Sequence, residues 1–205
     1  PTTNKKGSKN LSSLGIQSLV IPMGKIKIKR QIRALDIILR TCASVNMLTQ
    51  SKKRIFKSNK EDYSLKTLVS LINSIKNNKK IFKNIKVKLT IIDHNSGKKV
   101  IEKFEKLLKK QVFKSEILNL DINFYKKKIK KINQQGKKVT DNQISNMSNI
   151  NQSLNVGKNC SDLVYFVEDD YLHKKNAIEE MILSYERISS QIGKELIICP
   201  ADYPY

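Results

Sequence analysis

Apolar residues gather in this chain in short runs of strand length, and these runs alternate with longer stretches of helical period. Residues 36–41, 87–92, 116–120, 163–167 and 196–199 are rich in Ile, Leu and Val, the pattern of strands covered on both faces. Between them, Leu65, Leu68, Val69, Leu71, Ile72 and Ile75 recur at helical spacing across 63–76. Ile101, Phe104, Leu107 and Leu108 mark a second helix over 100–110, and Ile178, Met181, Ile182 and Tyr185 a third over 177–188. Residues 150–160 read as a short helix feeding the strand at 163–167. Strands alternating with helices predict an α/β fold with an open, mostly parallel sheet and helices on both faces.

The pattern lapses twice. Residues 1–34 are polar and then basic, with Pro22 and Gly24 interrupting any period, so they read as an arm or irregular lead-in to a domain spanning 35–205. Residues 121–148 are rich in Lys, Asn and Gln, with little apolar rhythm beyond Phe124, Ile129 and Ile132, and read as a basic polar excursion or loop. The length of 205 residues suits one domain with a substantial core. The chain starts at Pro1 without a methionine and stops at Tyr205 just after a strand-like run, which predicts a domain truncated at its C-terminus.

Charge adds a constraint on partners. Forty Lys and Arg against 18 Asp and Glu give a formal charge of +22, which favours nucleic acid, an anionic membrane surface or phosphorylated ligands. Abundant Lys, Asn and Ile are also what an AT-rich coding sequence gives, so part of this charge is a solvated surface. Aromatics are sparse in the basic runs at 76–86 and 126–131, where a single-strand binder interleaves stacking platforms, and this argues against nucleic acid. Cys42, Cys160 and Cys199 are far apart and lie beside or within apolar runs, which predicts small core residues in a reducing compartment. No apolar run has the length of a membrane span and no signal peptide is evident. The expectation is a cytoplasmic protein, with charge as the means of any peripheral hold on the inner face of a membrane.

The candidate chemistry lies where the strand at 163–167 runs into Glu168-Asp169-Asp170. In an open α/β sheet, ligands bind outside the carboxyl ends of the strands. Side chains two apart in an extended segment point the same way, so Glu168 and Asp170 project together and Asp169 opposes them. Two convergent carboxylates suit magnesium or manganese, which keep waters and phosphate oxygens in their remaining positions. Asp93-His94-Asn95-Ser96-Gly97 closes the strand at 87–92 on the same edge, where Asp93 can accept hydrogen bonds from a base or ribose. Locally that segment reads as a capping turn with Asn95 or Ser96 as N-cap; only its pairing with a second acidic end favours the functional reading. His173, three residues past Asp170, is expected to be exposed in a loop, and Asp202 to be a solvated loop acid.

The succession of a strand ending in Arg40-Thr41, a helix, a strand ending in Asp93-His94-Asn95-Ser96-Gly97, a helix, and then Tyr165-Phe166-Val167-Glu168-Asp169-Asp170 resembles the nucleotide-binding half of a GT-A glycosyltransferase, closest to the family 2 type. The resemblance covers roughly residues 36–205 and implies a Rossmann-like sheet that binds a nucleotide-diphosphate sugar and transfers the sugar to a glycan or lipid-linked acceptor. It implies that Arg40, Thr41, Asp93, Asn95, Ser96 and Asp169 surround the nucleotide, and that manganese or magnesium sits at the acidic motif. Glu168-Asp169-Asp170 is similar to the Glu-Asp-Asp variant of N-acetylglucosaminyltransferase I, which makes Asp170 the direct metal ligand and turns Glu168 toward the metal or its waters. A general base in such enzymes comes from a segment beyond the last strand, here beyond Tyr205, so no catalytic residue is assigned. Two rival readings remain open: a basic nucleic-acid-binding protein, and a receiver-type signalling domain, in which a Val-Glu-Asp-Asp string closes the first strand rather than a late one.

Overall fold

The computed structural model describes residues 24–43, 59–77, 82–133 and 136–199 in full, and the backbone of three short strands within residues 1–23. These strands are β1 (Thr2–Thr3), β2 (Lys9–Ser13) and β3 (Ile16–Val20), which pair antiparallel in the order β1-β2-β3. Asp202 lies outside the described residues.

The main sheet is built from β4 (Ala34–Thr41), β5 (Lys86–Asp93), β6 (Lys114–Asn119) and β7 (Leu163–Glu168), all parallel, in the order β6-β5-β4-β7. Helix α1 (Lys60–Asn77) joins β4 to β5, and α2 (Lys98–Leu108) joins β5 to β6. The β6-to-β7 connection carries the short α3 (Ile122–Tyr125) and the long α4 (Asp141–Gly157). Helix α5 (Ala177–Ile192) follows β7. The fold is therefore the expected α/β type with an open parallel sheet. Among the described residues no helix is long and apolar enough to cross a membrane.

Burial follows the pleat. Leu35, Ile37 and Leu39 of β4 share one face with Leu89 and Ile91 of β5 and Val167 of β7, all nearly inaccessible. Ile38 and Ile92 point the other way and form a second cluster with Leu120 and Tyr125, against which Val156 of α4 and Val164 pack. Because β4 is covered on both faces, its sequence is a near-continuous apolar run, which is why it was legible.

Helix α4 was legible only in its second half, where residues 150–160 read as a short helix; its start at Asp141 falls inside the stretch expected to be a loop. Its inward face carries Ser145, Ser148, Asn149, Gln152 and Ser153, all buried, so apolar periodicity gives no signal. The polar face is used: Asn149 Nδ2 donates to the Ile92 carbonyl (3.2 Å), Gln152 Nε2 donates to the Asn119 carbonyl (3.0 Å), and Gln152 Oε1 accepts from Asp121 N (2.8 Å). These carbonyls lie at the ends of β5 and β6, where the ladder stops and backbone acceptors need new donors. The helix start is fixed by a reciprocal capping box between Thr140 and Gln143.

Three further expectations differ. Residues 196–199 form no strand; Ile197 is fully exposed, since an apolar run becomes a strand only where a sheet edge accepts its backbone. Cys199 is exposed and Cys42 and Cys160 are half-buried, so none is a core residue. Strands β1 to β3 fall in the stretch read as an irregular lead-in.

The chain clusters into two units, residues 32–179 with the parallel sheet, and residues 1–31 with 180–205. Within the second unit, Ser190 Oγ accepts from Lys29 N and Arg30 N (both 2.9 Å), and Arg30 pairs with Glu195 (2.8 Å).

Asn149→Ala should lower stability to urea by about 1–3 kcal/mol, because it strips a buried carbonyl of its donor. Met147→Ala, on the exposed side of the same helix, should change it by less than about 0.5 kcal/mol. Equal effects from the two would overturn the polar-face account.

Candidate functional site at the carboxyl edge

The strand order sets where the edge opens. The chain steps outward from β4 to β5 to β6 and then returns to β7 on the far side of β4, so the direction of winding reverses between β4 and β7. The crevice outside the carboxyl ends at such a reversal is where open α/β sheets bind ligands. Here those ends carry Arg40, Thr41 and Cys42 on one side and Glu168, Asp169 and Asp170 on the other.

The three acids have three different environments. Glu168 stands opposite Arg40 in the ladder and pairs with its guanidinium, which also donates to Asn146 Oδ1 of α4 (3.1 Å). Asp169 is buried, pairs with Lys60 at the start of α1, and accepts from Ser64 Oγ (2.7 Å) and from Cys42 N (3.2 Å). Asp170 is half-buried and has no hydrogen-bond or ion-pair partner among the described residues. Glu168 and Asp169 thus already have cations beside them, while Asp170 has none among the described residues.

Asp93 ends β5 directly opposite Thr41. Its Oδ1 accepts from Thr41 Oγ1 (2.6 Å) and Ser96 Oγ (2.5 Å), and its Oδ2 accepts from Ser96 N (3.0 Å). Ser96 Oγ in turn accepts from Ala43 N (3.0 Å), so the ends of β4 and β5 are stitched together. The turn needs a left-handed residue, which Asn95 supplies at φ 61°, its side chain exposed. Neither Asn95 nor Ser96 caps the next helix: the N-cap of α2 is Gly97, without a side-chain cap. Asp93 therefore shapes the turn and leaves one lone pair of Oδ2 for anything else.

Histidines serve as fasteners at this edge. His94 Nδ1 lies 2.6 Å from Ser145 Oγ of α4 and 3.8 Å from Cys42 Sγ. His173, expected to be exposed, is instead held between Tyr165 Oη (3.0 Å from Nε2) and Ser70, whose Oγ accepts from His173 N (3.0 Å). The loop after the acids is thereby pinned to α1.

Among the described residues no group of three or more His, Cys, Asp and Glu is arranged to hold a metal. A cation shared with phosphate needs only one or two protein carboxylates, so a single side chain such as Asp170 could serve as its protein ligand. A cavity of about 200 Å³ bordered by Asp36, Lys88, Thr90 and Glu116 lies toward the amino halves of the strands, away from the acids. There Lys88 holds the Glu116 carboxyl below its usual range through a 2.8 Å contact, and Asp36 accepts from Ser161 N (3.2 Å).

The structure brings Arg40, Thr41, Asp93, Ser96, Glu168 and Asp169 to one edge in neighbouring bonded groups, Arg40 with Glu168, Thr41 with Asp93 and Ser96, and Asp169 with Lys60 and Ser64, with Asp170 and Asn95 beside them. Lys60, Ser64, Ser145 and Asn146 take part in these groups or bond to His94 beside them, and were not anticipated. The four-residue spacing of Lys60 and Ser64 is a signal, but it lies at the edge of the apolar stripe that marked α1. Comparison with protein families, with curated proteins and with solved structures gives no match for this chain.

Asp169→Ala should cost about 3 kcal/mol in chemical denaturation, since it strands the half-buried Lys60 ammonium without its carboxylate. Asp170→Ala should cost less than about 0.5 kcal/mol. A reversed order would assign the clamp to the wrong acid. A second test uses pH. Burial pushes His173 down from 6.5 to about 4, so between these values the unfolded chain binds the proton and the folded chain does not. Stability should fall as pH drops from about 6.5 toward about 4, and His173→Gln should flatten that part of the profile; an unchanged slope would contradict the buried neutral ring.

Proposed function

We propose that this domain binds a nucleotide-diphosphate sugar together with a divalent cation and serves the donor side of a GT-A-type glycosyltransferase acting on a glycan or lipid-linked acceptor. The observation that carries the reading is Asp170: a half-buried carboxylate without a partner among the described residues, at the winding reversal of a parallel sheet, beside two acids that have cations of their own. A lone carboxylate there, with phosphate oxygens and water, is a suitable ligand set for magnesium or manganese.

The cation, when bound, would stabilise negative charge building on a departing diphosphate. The chain's residues have distinct tasks. Asp170 supplies the protein ligand. Arg40 and Lys60 hold Glu168 and Asp169 in place, keep the local charge from becoming strongly negative, and set two positive groups near the phosphate path. Asp93, Thr41 and Ser96 fix the wall of the crevice, and Asn95 offers an exposed amide toward a nucleoside. The position of the acids on the last strand of the sheet counts against a receiver domain, whose acids close the first.

Calorimetric titration with uridine and guanosine diphosphates, with and without manganese, tests the proposal. Wild type should bind one of them only in the presence of the metal. Asp170→Ala should weaken that binding at least about tenfold, the effect of about 1.4 kcal/mol of lost interaction, with unchanged circular dichroism. Equal affinity in mutant and wild type would sink the metal assignment.

A further inference from the structure

The connection from β6 to β7 concentrates positive charge. Between Asp121 and Asp141 there is no acid, yet residues 126–138 carry seven lysines, all exposed: Lys126, Lys127, Lys128, Lys130, Lys131, Lys137 and Lys138. The segment is shaped and not extended. Ile132 bridges Lys138, Val139 N donates to the Lys131 carbonyl (2.9 Å), and Gly136 turns the chain at φ 75°. Ile129 and Val139 are buried beneath it.

Large apolar side chains stand outward among these charges. Ile132 is 60% exposed and Phe124 49% exposed, with Lys128 Nζ 4.3 Å from the Phe124 ring centre. Helix α4 continues the theme. Its buried face is polar, and Met147, Ile150 and Leu154, spaced three and four apart, lie on the exposed side, followed by Lys158. Apolar groups would ordinarily occupy the buried side of a helix, so this inverted helix displays an apolar ridge in a span poor in acid.

We infer that this connection docks the protein on an anionic phospholipid surface, the lysines meeting the headgroups and the outward apolar side chains entering the boundary with the acyl chains. The pairing of basic and apolar groups is what interfacial binding requires: charge concentrates the protein at the surface, and burial of apolar area holds it there. A nucleic acid would also answer the charge, but aliphatic Ile132, Met147, Ile150 and Leu154 give bases nothing to stack on, and Phe124 is the one large aromatic exposed in the segment. The inference rests on the connection alone and stands apart from the nucleotide reading of the acidic edge.

Co-sedimentation of the full chain with vesicles of phosphatidylcholine alone, and of equal parts phosphatidylcholine and phosphatidylglycerol, tests it. Retention should occur on the mixed vesicles only and weaken as salt is raised. The triple substitution K126Q/K127Q/K128Q should weaken binding by about fivefold per lysine, while a control at exposed positions of and after α2, K99Q/K106Q/K110Q, should leave it within about twofold of wild type. Ile132→Ser with Leu154→Ser should reduce retention at physiological salt, where charge is screened more than at low salt. Equal retention on both vesicle types, equal losses from the two lysine triples, or no effect of the apolar substitutions would overturn the proposal. So would binding to a mixed-sequence oligonucleotide without retention on vesicles.

Discussion

A carboxylate buried at the end of a parallel strand needs compensation, and Asp169 obtains it from α1 and from the backbone just past β4. Lys60 supplies charge, Ser64 one turn later supplies a hydroxyl, and Cys42 supplies an amide. The negative group also lies beside the amino end of α1, where it is favoured by the exposed amides and the helix dipole. One side chain thus fixes the entry of α1 against the carboxyl ends of β4 and β7. The geometry of the whole edge depends on that clamp: Arg40 faces Glu168 because β4 and β7 are held in register, and Asp170 is left without an ion-pair partner among the described residues.

The other side of the edge is organised by hydrogen bonds of a different kind. Helix α4 places Ser145 beside His94, Asn146 beside Arg40, Asn149 beside the last carbonyls of β5, and Gln152 beside those of β6. An apolar helix could cover this region but could not satisfy the acceptors where the ladder ends. The cost is a helix that gains less from hydrophobic burial than its length would suggest, and an outward ridge of Met147, Ile150 and Leu154.

Much of the architecture was readable because β4 and the inner half of β5 are covered on both faces, and the apolar stripes on α1, α2 and α5 are buried. The first half of helix α4 was unreadable for the opposite reason: its burial is polar, and composition alone cannot tell a buried serine from a solvated one. The run at 196–199 failed because an apolar string specifies a preference for burial without specifying a partner edge. For the candidate site, the acidic ends and their shared edge followed from strand order, whereas the partners of each acid did not.

The sequence by itself determined that a parallel sheet would carry Asp93 and Glu168-Asp169-Asp170 at one edge, because strand periodicity and parallel pairing leave few alternatives. Only the tertiary structure decided which acid is which. Asp169 lies within reach of Lys60, more than a hundred residues earlier, and Asp170 does not have such a neighbour among the described residues. That distinction is made by distance in space between side chains, a quantity that neither composition nor local pattern contains.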